Sequence, residues 1–317
     1  MPATPIVELR NVQKRFGATI AVRDMALSIP PGATYGLLGP NGAGKTTTIR
    51  MILDILQPDA GEIRLFGAPF TRAALDRVGY LPEERGLYRR MTVRRLLAFF
   101  AELKGVPATA AAPRIQAWLE RLDLADRADA RVQELSKGNQ QKLQFIAAVL
   151  HEPELVILDE PFSGLDPLNQ QVLKEIILEL RARNRTILFS THIIEHAERI
   201  CDHVCIIARG AKVVDGPIGE VRQGHGGSYV RLGLQGRYPE LRERLRRSPA
   251  IAAVRDQGND LELQLRDDAD PNALLADLVT AGVRVRRFEH VEPSLEQIFI
   301  ERVGAATATP GPEAVRV

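Results

Sequence analysis

The stretch Gly39-Pro40-Asn41-Gly42-Ala43-Gly44-Lys45-Thr46 constrains this chain more than any other, because it satisfies G-x-x-x-x-G-K-[ST] at every fixed position. Such a loop must turn several backbone N–H groups onto one set of phosphates. Gly39, Gly42 and Gly44 permit the sharp turns this requires. Lys45 is placed to reach the β/γ-phosphates, the Thr46 hydroxyl to ligand Mg²⁺, and the phosphates to sit on the positive end of the next helix. The flanks agree: Tyr35 to Leu38 reads as a short buried strand, and Thr47 to Leu56 as a helix apolar at Ile49, Ile52, Leu53 and Leu56. The nucleotide-binding set from this stretch is Gly39, Asn41, Gly42, Gly44, Lys45, Thr46 and Thr47.

A second cluster lies far downstream. Leu155-Val156-Ile157-Leu158-Asp159-Glu160 is an apolar run ending in two carboxylates, which suits a buried parallel strand delivering acids to the carboxyl edge of a sheet. Asp159 is the expected Mg²⁺ ligand, and Glu160 the group that polarises an attacking water. Between the clusters, Thr92 to Leu150 turns helical, and Leu135-Ser136-Lys137-Gly138 opens a helix over Gln141 to Leu150. Ser163-Gly164-Leu165-Asp166 is a tight turn before a helix to about Asn184. The strand Thr186 to Ser190 then runs into Thr191-His192.

This order of P-loop, Leu-Ser-x-Gly helix start, Asp-Glu strand, Ser-Gly-Leu-Asp and Thr-His resembles the nucleotide-binding subunit of an ABC transporter, over roughly Ile6 to Gly219. The resemblance implies an α/β P-loop NTPase core, a mixed sheet flanked by helices, with a helical subdomain at about 84–150. It implies that Phe16, in a turn just outside the first strand, stacks on adenine. Ser136 and Gly138 would contact the γ-phosphate bound by another subunit, Asp166 would sit at the dimer interface, and His192 would sense the γ-phosphate. A homodimer sandwiching ATP, and a separate transmembrane permease, follow from the same resemblance. Lys137 and Asn139 stand where Gly and Gln are common in the family, and Glu83 stands where a glutamine linking Mg²⁺ to the membrane partner is usual. A carboxylate remains a hard oxygen donor, so Glu83 joins Thr46 and Asp159 as a metal candidate. Leu81 to Tyr88 resembles a branch of bacterial exporter ATPases that includes sodium-efflux types.

The segment His192-Ile193-Ile194-Glu195-His196 also fits the zinc-peptidase pattern H-x-x-E-H. Cys201 falls about 140° around the helix from His196, and His203 and Cys205 belong to the following strand, so no ligand set converges. His196 is accordingly expected to be solvated. Arg89, Arg90, Arg94 and Arg95 read as a solvated face or, more sharply, a docking surface.

With 317 residues, two domains are expected: 1–222 for nucleotide and 229–303 as an accessory unit, followed by a flexible tail over 304–317. Arg222 to Ser228, with glycines around His225, reads as a linker. The pattern beyond it is β-α-β-β-α-β, an α+β ferredoxin-like arrangement, closed by an N-capped helix around Glu292 to Phe299. It carries no catalytic constellation. Forty-two basic against forty acidic residues leave +2, too little to suggest nucleic acid as a partner. No apolar run approaches about 18 residues, no signal sequence opens the chain, and two cysteines make no disulfide framework. A cytoplasmic protein, peripheral on the inner face of the membrane through its permease, is expected. The rival is a soluble ABC ATPase working on DNA or ribosomes. Neither an inserted coiled coil nor a second nucleotide domain is present to favour it.

Overall fold

The structure is a computed structural model and describes residues 4–84, 86–225, 228–236, 238, 240–257, 260–266 and 269–308. It divides into two compact units, one running to Ile218 and including the stretch from Glu301, the other spanning Gly219–Ile300.

The first unit begins with β1 (Val7–Phe16) and β2 (Thr19–Ile29), then β3 (Thr34–Leu38), α1 (Lys45–Ile52), β4 (Ala60–Leu65), β5 (Ala68–Pro69) and β6 (Val78–Leu81). Three helices follow, α2 (Val93–Leu103), α3 (Ala108–Arg121) and α4 (Lys137–Val149). The chain then alternates β7 (Leu155–Asp159), α5 (Pro167–Ala182), β8 (Thr186–Thr191), α6 (Ile194–Ile200), β9 (His203–Ala208) and β10 (Ala211–Pro217).

Two sheets result: β2-β1-β4-β5, antiparallel, and β10-β9-β3-β8-β7-β6, parallel except for its β10 edge. Every residue of β3, β7 and β8 is buried, as strands covered on both faces must be. Their apolar side chains, with the inner faces of β1, β2 and α1, make one core that includes Tyr35, Leu37, Ile49, Ile157 and Leu188. The helices start where side chains satisfy their free N–H groups. Ser136 Oγ accepts from Asn139 N at 3.2 Å ahead of α4, and Asp166 Oδ1 from Asn169 N at 2.9 Å ahead of α5, which has Pro167 in its first turn.

In the second unit α7 (Ile218–Gln223), which spans the division, leads to β11 (Ser228–Leu234), α8 (Leu241–Arg246), β12 (Ile251–Gln257), β13 (Asp260–Leu265), α9 (Pro271–Thr280), β14 (Val285–Val291) and α10 (Leu295–Ala308). The sheet order β12-β13-β11-β14, all antiparallel, puts the first and third strands of the β-α-β-β-α-β unit side by side at its centre. Leu261, Leu263 and Leu265 alternate into a core shared with Leu241, Leu245, Leu274 and Leu278 of the two helices.

Two expectations are corrected here. Arg222 and Gln223 close helix α7 and Ser228 opens β11, so the run from 222 to 228 is not a continuous linker; Gly226 and Gly227 lie outside the described residues. The expected flexible tail begins at 304, yet α10 continues to Ala308, an alanine-rich extension that suits helix, and the remainder lies outside the described residues. Its start is a capping box: Ser294 Oγ accepts from Gln297 N at 3.2 Å while Gln297 Oε1 accepts from Ser294 N at 2.7 Å.

Candidate functional site

Three adjacent parallel strands, β3, β8 and β7, end on one edge, and their outgoing segments build the site. From β3 comes the P-loop. Gly39 has no room for a side chain: a Cβ there would stand 2.5 Å from the Ile207 carbonyl and 3.0 Å from Ala43. Gly44 takes φ 107°, where L side chains are strained, and a Cβ would collide with the Ala21 carbonyl. The helix begins at Lys45, two residues earlier than its apolar pattern suggests, so Lys45 and Thr46 are themselves in the first turn of α1, where N–H groups lack intrahelical partners.

Lys45 is only 6% exposed and folds back on its own loop, its Nζ donating to Gly39 O at 2.8 Å and Pro40 O at 3.2 Å. Burial lowers its pKa, an effect opposed by the carboxylates of Glu160, Asp159 and Glu83. A cleft of about 210 Å³ is lined by Asn41, Gly42, Gly44, Lys45, Thr46 and Thr47, closed by Ala21, Glu83 and Glu160.

Strand β7 delivers Asp159, fully buried, whose Oδ1 accepts from the Ser190 hydroxyl of β8. Burial raises its carboxyl pKa, while Ser190 and Thr46 favour the charged form. Asp159 Oδ2 is buried with no hydrogen-bond partner. A buried carboxylate oxygen left without a partner, on an acid that Thr46 of the phosphate loop also influences, is the donor chemistry that a hard divalent cation takes. The residues present therefore fit Mg²⁺.

Glu160 follows in the left-handed region, φ 48°, with its own N–H donating to Ser190 O at 3.1 Å. That turn directs its carboxylate to the end of β8, where Oε1 accepts from His192 N at 3.0 Å and lies 2.7 Å from His192 Nδ1, and Oε2 accepts from the Thr191 hydroxyl at 3.3 Å. Glu83 is exposed beyond the end of β6.

Other candidates lie elsewhere. Phe16 is half exposed at the end of β1, with Lys14 Nζ 5.8 Å from its ring centroid, and does not line the cleft. Ser136, Gly138 and Asp166 do not line it either. They form a separate group: a Cβ on Gly138 would stand 3.5 Å from the Gly164 carbonyl and 3.8 Å from Leu165, so the start of α4 packs against the turn that precedes Asp166. Among the described residues no group of three or more His, Cys, Asp or Glu is arranged to hold a metal, and both cysteines are buried thiols. His196, expected in solvent, is 7% exposed, its ring centroid 4.5 Å from that of Phe162. A residue distant in sequence covers it, which helical periodicity alone does not reveal.

Sequence reasoning missed Ser190 and Thr191, which brace the two acids. Their signal was two hydroxyl residues ending an otherwise apolar strand. It missed Ala21 and Gln141 as well; Gln141 Nε2 donates to Pro161 O at 3.1 Å, tying α4 to the residue after Glu160.

A phosphate-binding loop, an orphaned acid and a braced second acid on adjacent parallel strands define a nucleotide-binding protein of the P-loop class. The comparisons with known proteins narrow this. The family described as ABC transporter matches residues 22–163, and the one described as ATP-binding protein DrrA1-3-like, C-terminal domain, matches 216–303. The chain is 44% identical over 300 residues to the ABC transporter ATP-binding protein YhaQ of Bacillus subtilis (strain 168), covering 95% of this chain and 99% of that one. It is 35% identical over 304 residues to the Nod factor export ATP-binding protein I of Cupriavidus metallidurans, covering 95% and 98%. A solved structure titled as the ATP binding subunit of an ABC transporter superposes with a TM-score of 0.65 at 32% identity, covering 70% of this chain and 93% of that one. This chain belongs to the ABC transporter ATP-binding protein family.

Proposed function

We propose that the chain binds and hydrolyses ATP with Mg²⁺ as the motor subunit of a two-component exporter, working as a homodimer on a separate transmembrane permease. The observation that carries hydrolysis is the Glu160 carboxylate, held by donors from Thr191 and His192 at the mouth of the P-loop cleft. Those donors aim the carboxylate, so that it accepts the proton of a water positioned against the γ-phosphate. Lys45 exchanges its two carbonyl partners for phosphate oxygens. The N–H groups at the start of α1 bind the rest of the chain of phosphates. Thr46, Asp159 and Glu83 are the oxygen donors available to Mg²⁺, which when bound neutralises charge on the β/γ-phosphates. Phe16, exposed at the end of β1, offers a ring for the adenine.

Ser136, Gly138 and Asp166 lie outside the cleft of their own chain, which supports their acting on the nucleotide of a second copy. Ser136→Glu is then expected to abolish hydrolysis while leaving ATP binding to the monomer within about three-fold, because its carboxylate meets the γ-phosphate only across the dimer. Mixing it with Lys45→Ala subunits leaves one composite site intact, and recovered activity above either parent supports the pairing. Monomeric hydrolysis untouched by Ser136→Glu would end it.

No helix among the described residues is long and apolar enough to cross a membrane, so the reading needs a permease chain. An apolar groove of about 420 Å³ suits its docking segment, lined by Leu53, Leu75, Val78, Phe100 and Ala147 and rimmed by the exposed Ile55 and Leu103. In this reading the protein is cytoplasmic and peripheral on the inner face of the membrane. Export is supported by the names of relatives such as the Nod factor export protein. The 229–303 domain acts as a regulatory or dimer-supporting module.

A further inference from the structure

Phe162 stands two residues after Glu160 and four before Asp166, and its ring is held on three sides. His196 of α6 meets it edge to face, centroids 4.5 Å apart and planes at 70°; Phe189 of β8 does so at 5.6 Å and 65°; Lys174 of α5 has its Nζ 5.6 Å from the ring centroid. The segment on either side is short and tied down. Gln141 Nε2 holds Pro161 O at 3.1 Å, Ser163 N donates to Glu160 O at 3.1 Å, Leu165 N to Phe162 O at 3.2 Å, and Gln170 Nε2 to Leu165 O at 3.0 Å. With so few free torsions, a displaced Phe162 moves Glu160 at one end and the turn before Asp166 at the other. Edge-to-face pairs of this kind stabilise beyond the burial of their area.

The His196 side of this clamp can titrate. Its Nδ1 is buried with no hydrogen-bond partner, tolerable for a neutral ring and costly for a charged one. The charged groups facing it are Lys174 from α5, Glu160 from the end of β7, and Glu195 and Arg199 on its own helix. Burial, then Lys174, lowers its pKa below the usual histidine value, with Glu195 and Glu160 pulling the other way. The ring thus stays neutral near pH 7 and charges only as the solution turns acid. An imidazolium there places a second cation beside Lys174, with an N–H that finds no acceptor.

We propose that His196 is a positioning residue for ATP hydrolysis: its neutral ring holds the Glu160–Asp166 segment through Phe162, and its protonation lets that segment go. The inference rests on the ATPase reading above. Its test therefore includes a measurement that does not require turnover.

In the full chain, isotope-labelled histidine and phenylalanine rings are followed by NMR from about pH 8.5 to about pH 5. The His196 ring is expected to titrate below about pH 6.5, and the Phe162 ring signals to shift with the same midpoint. Phe162 signals that stay still while His196 titrates would overturn the inference. Turnover supplies the second arm. His196→Ala should lower kcat about 5–20-fold with KM for ATP within about two-fold, because the P-loop is untouched. His196→Phe keeps an aromatic edge without a titratable group, so it should retain kcat within about three-fold at about pH 8 and carry its acid limb at least about half a unit lower. An acid limb in His196→Phe that overlays the wild type, or a His196→Ala kcat equal to the wild type, contradicts the proposal. Where His196→Ala fails to fold, His196→Gln, which also lacks an aromatic edge, takes its place under the kcat criterion; where His196→Phe fails, His196→Tyr, aromatic and without a group that titrates in acid, takes its place under the acid-limb criterion. Absence of hydrolysis by the wild-type chain at every pH would sink the ATPase reading alone, and the ring titration would still decide the role of His196.

Discussion

Glu160→Gln is expected to slow ATP hydrolysis by about 10²–10⁴-fold with ATP affinity nearly unchanged. The amide matches the carboxylate in shape and keeps an oxygen for the backbone N–H of His192, 3.0 Å away in the wild type, so the site should stay assembled. What it loses is the capacity to accept a proton from water. ATP binding then outlasts the chemistry, and the variant should accumulate an ATP-bound dimer. Phosphate release measures the first effect and sedimentation with ATP the second; a variant hydrolysing at nearly the wild-type rate shows that Glu160 is not the base.

For Lys45→Ala the expected loss falls on binding, about 10²–10³-fold in ATP affinity. A unit charge about 4 Å from a phosphate charge is worth about 4 kcal/mol at the effective dielectric of a half-open site, and solvent screening trims that figure. A second contribution comes from the loop. Lys45 Nζ holds the Gly39 and Pro40 carbonyls, so its removal leaves the loop without its internal brace before nucleotide arrives. Calorimetric titration with ATP and Mg²⁺ tests this, with a melting curve confirming that the variant is folded. Affinity within about three-fold of the wild type would remove Lys45 from the phosphate site.

The P-loop was legible because its demands are local: the glycines, the lysine and the flanking strand and helix all fall within one contiguous stretch. Asp159 and Glu160 were legible because an apolar run closed by two acids has few other uses. In the second unit, the order of elements and the alternation of Leu261, Leu263 and Leu265 pointed to the four-stranded antiparallel sheet that is found. What stayed hidden depends on strand order. Ser190 braces Asp159 only because β8 lies beside β7 with those two residues in register, and nothing near Ser190 in the sequence says so. His196 was misread for the same reason, since Phe162 covers it from another element. The linker reading of 222–228 ran too long at its ends for a different reason: the glycines are real, but the helical pattern before them runs on to Gln223 and β11 opens at Ser228.

The burial of β3, β7 and β8 along their whole length has a consequence for motion. Amide hydrogens in such strands exchange only when the domain opens globally, so those of 34–38, 155–159 and 186–191 should form the slowest-exchanging set in the first unit. The loop, the acids and His192 are thus mounted on the part of the chain that fluctuates least. In the proposed cycle, any rearrangement on nucleotide binding and release has to be carried by segments of lower local stability, and the framework that holds the loop and the acids would stay the same from one turnover to the next.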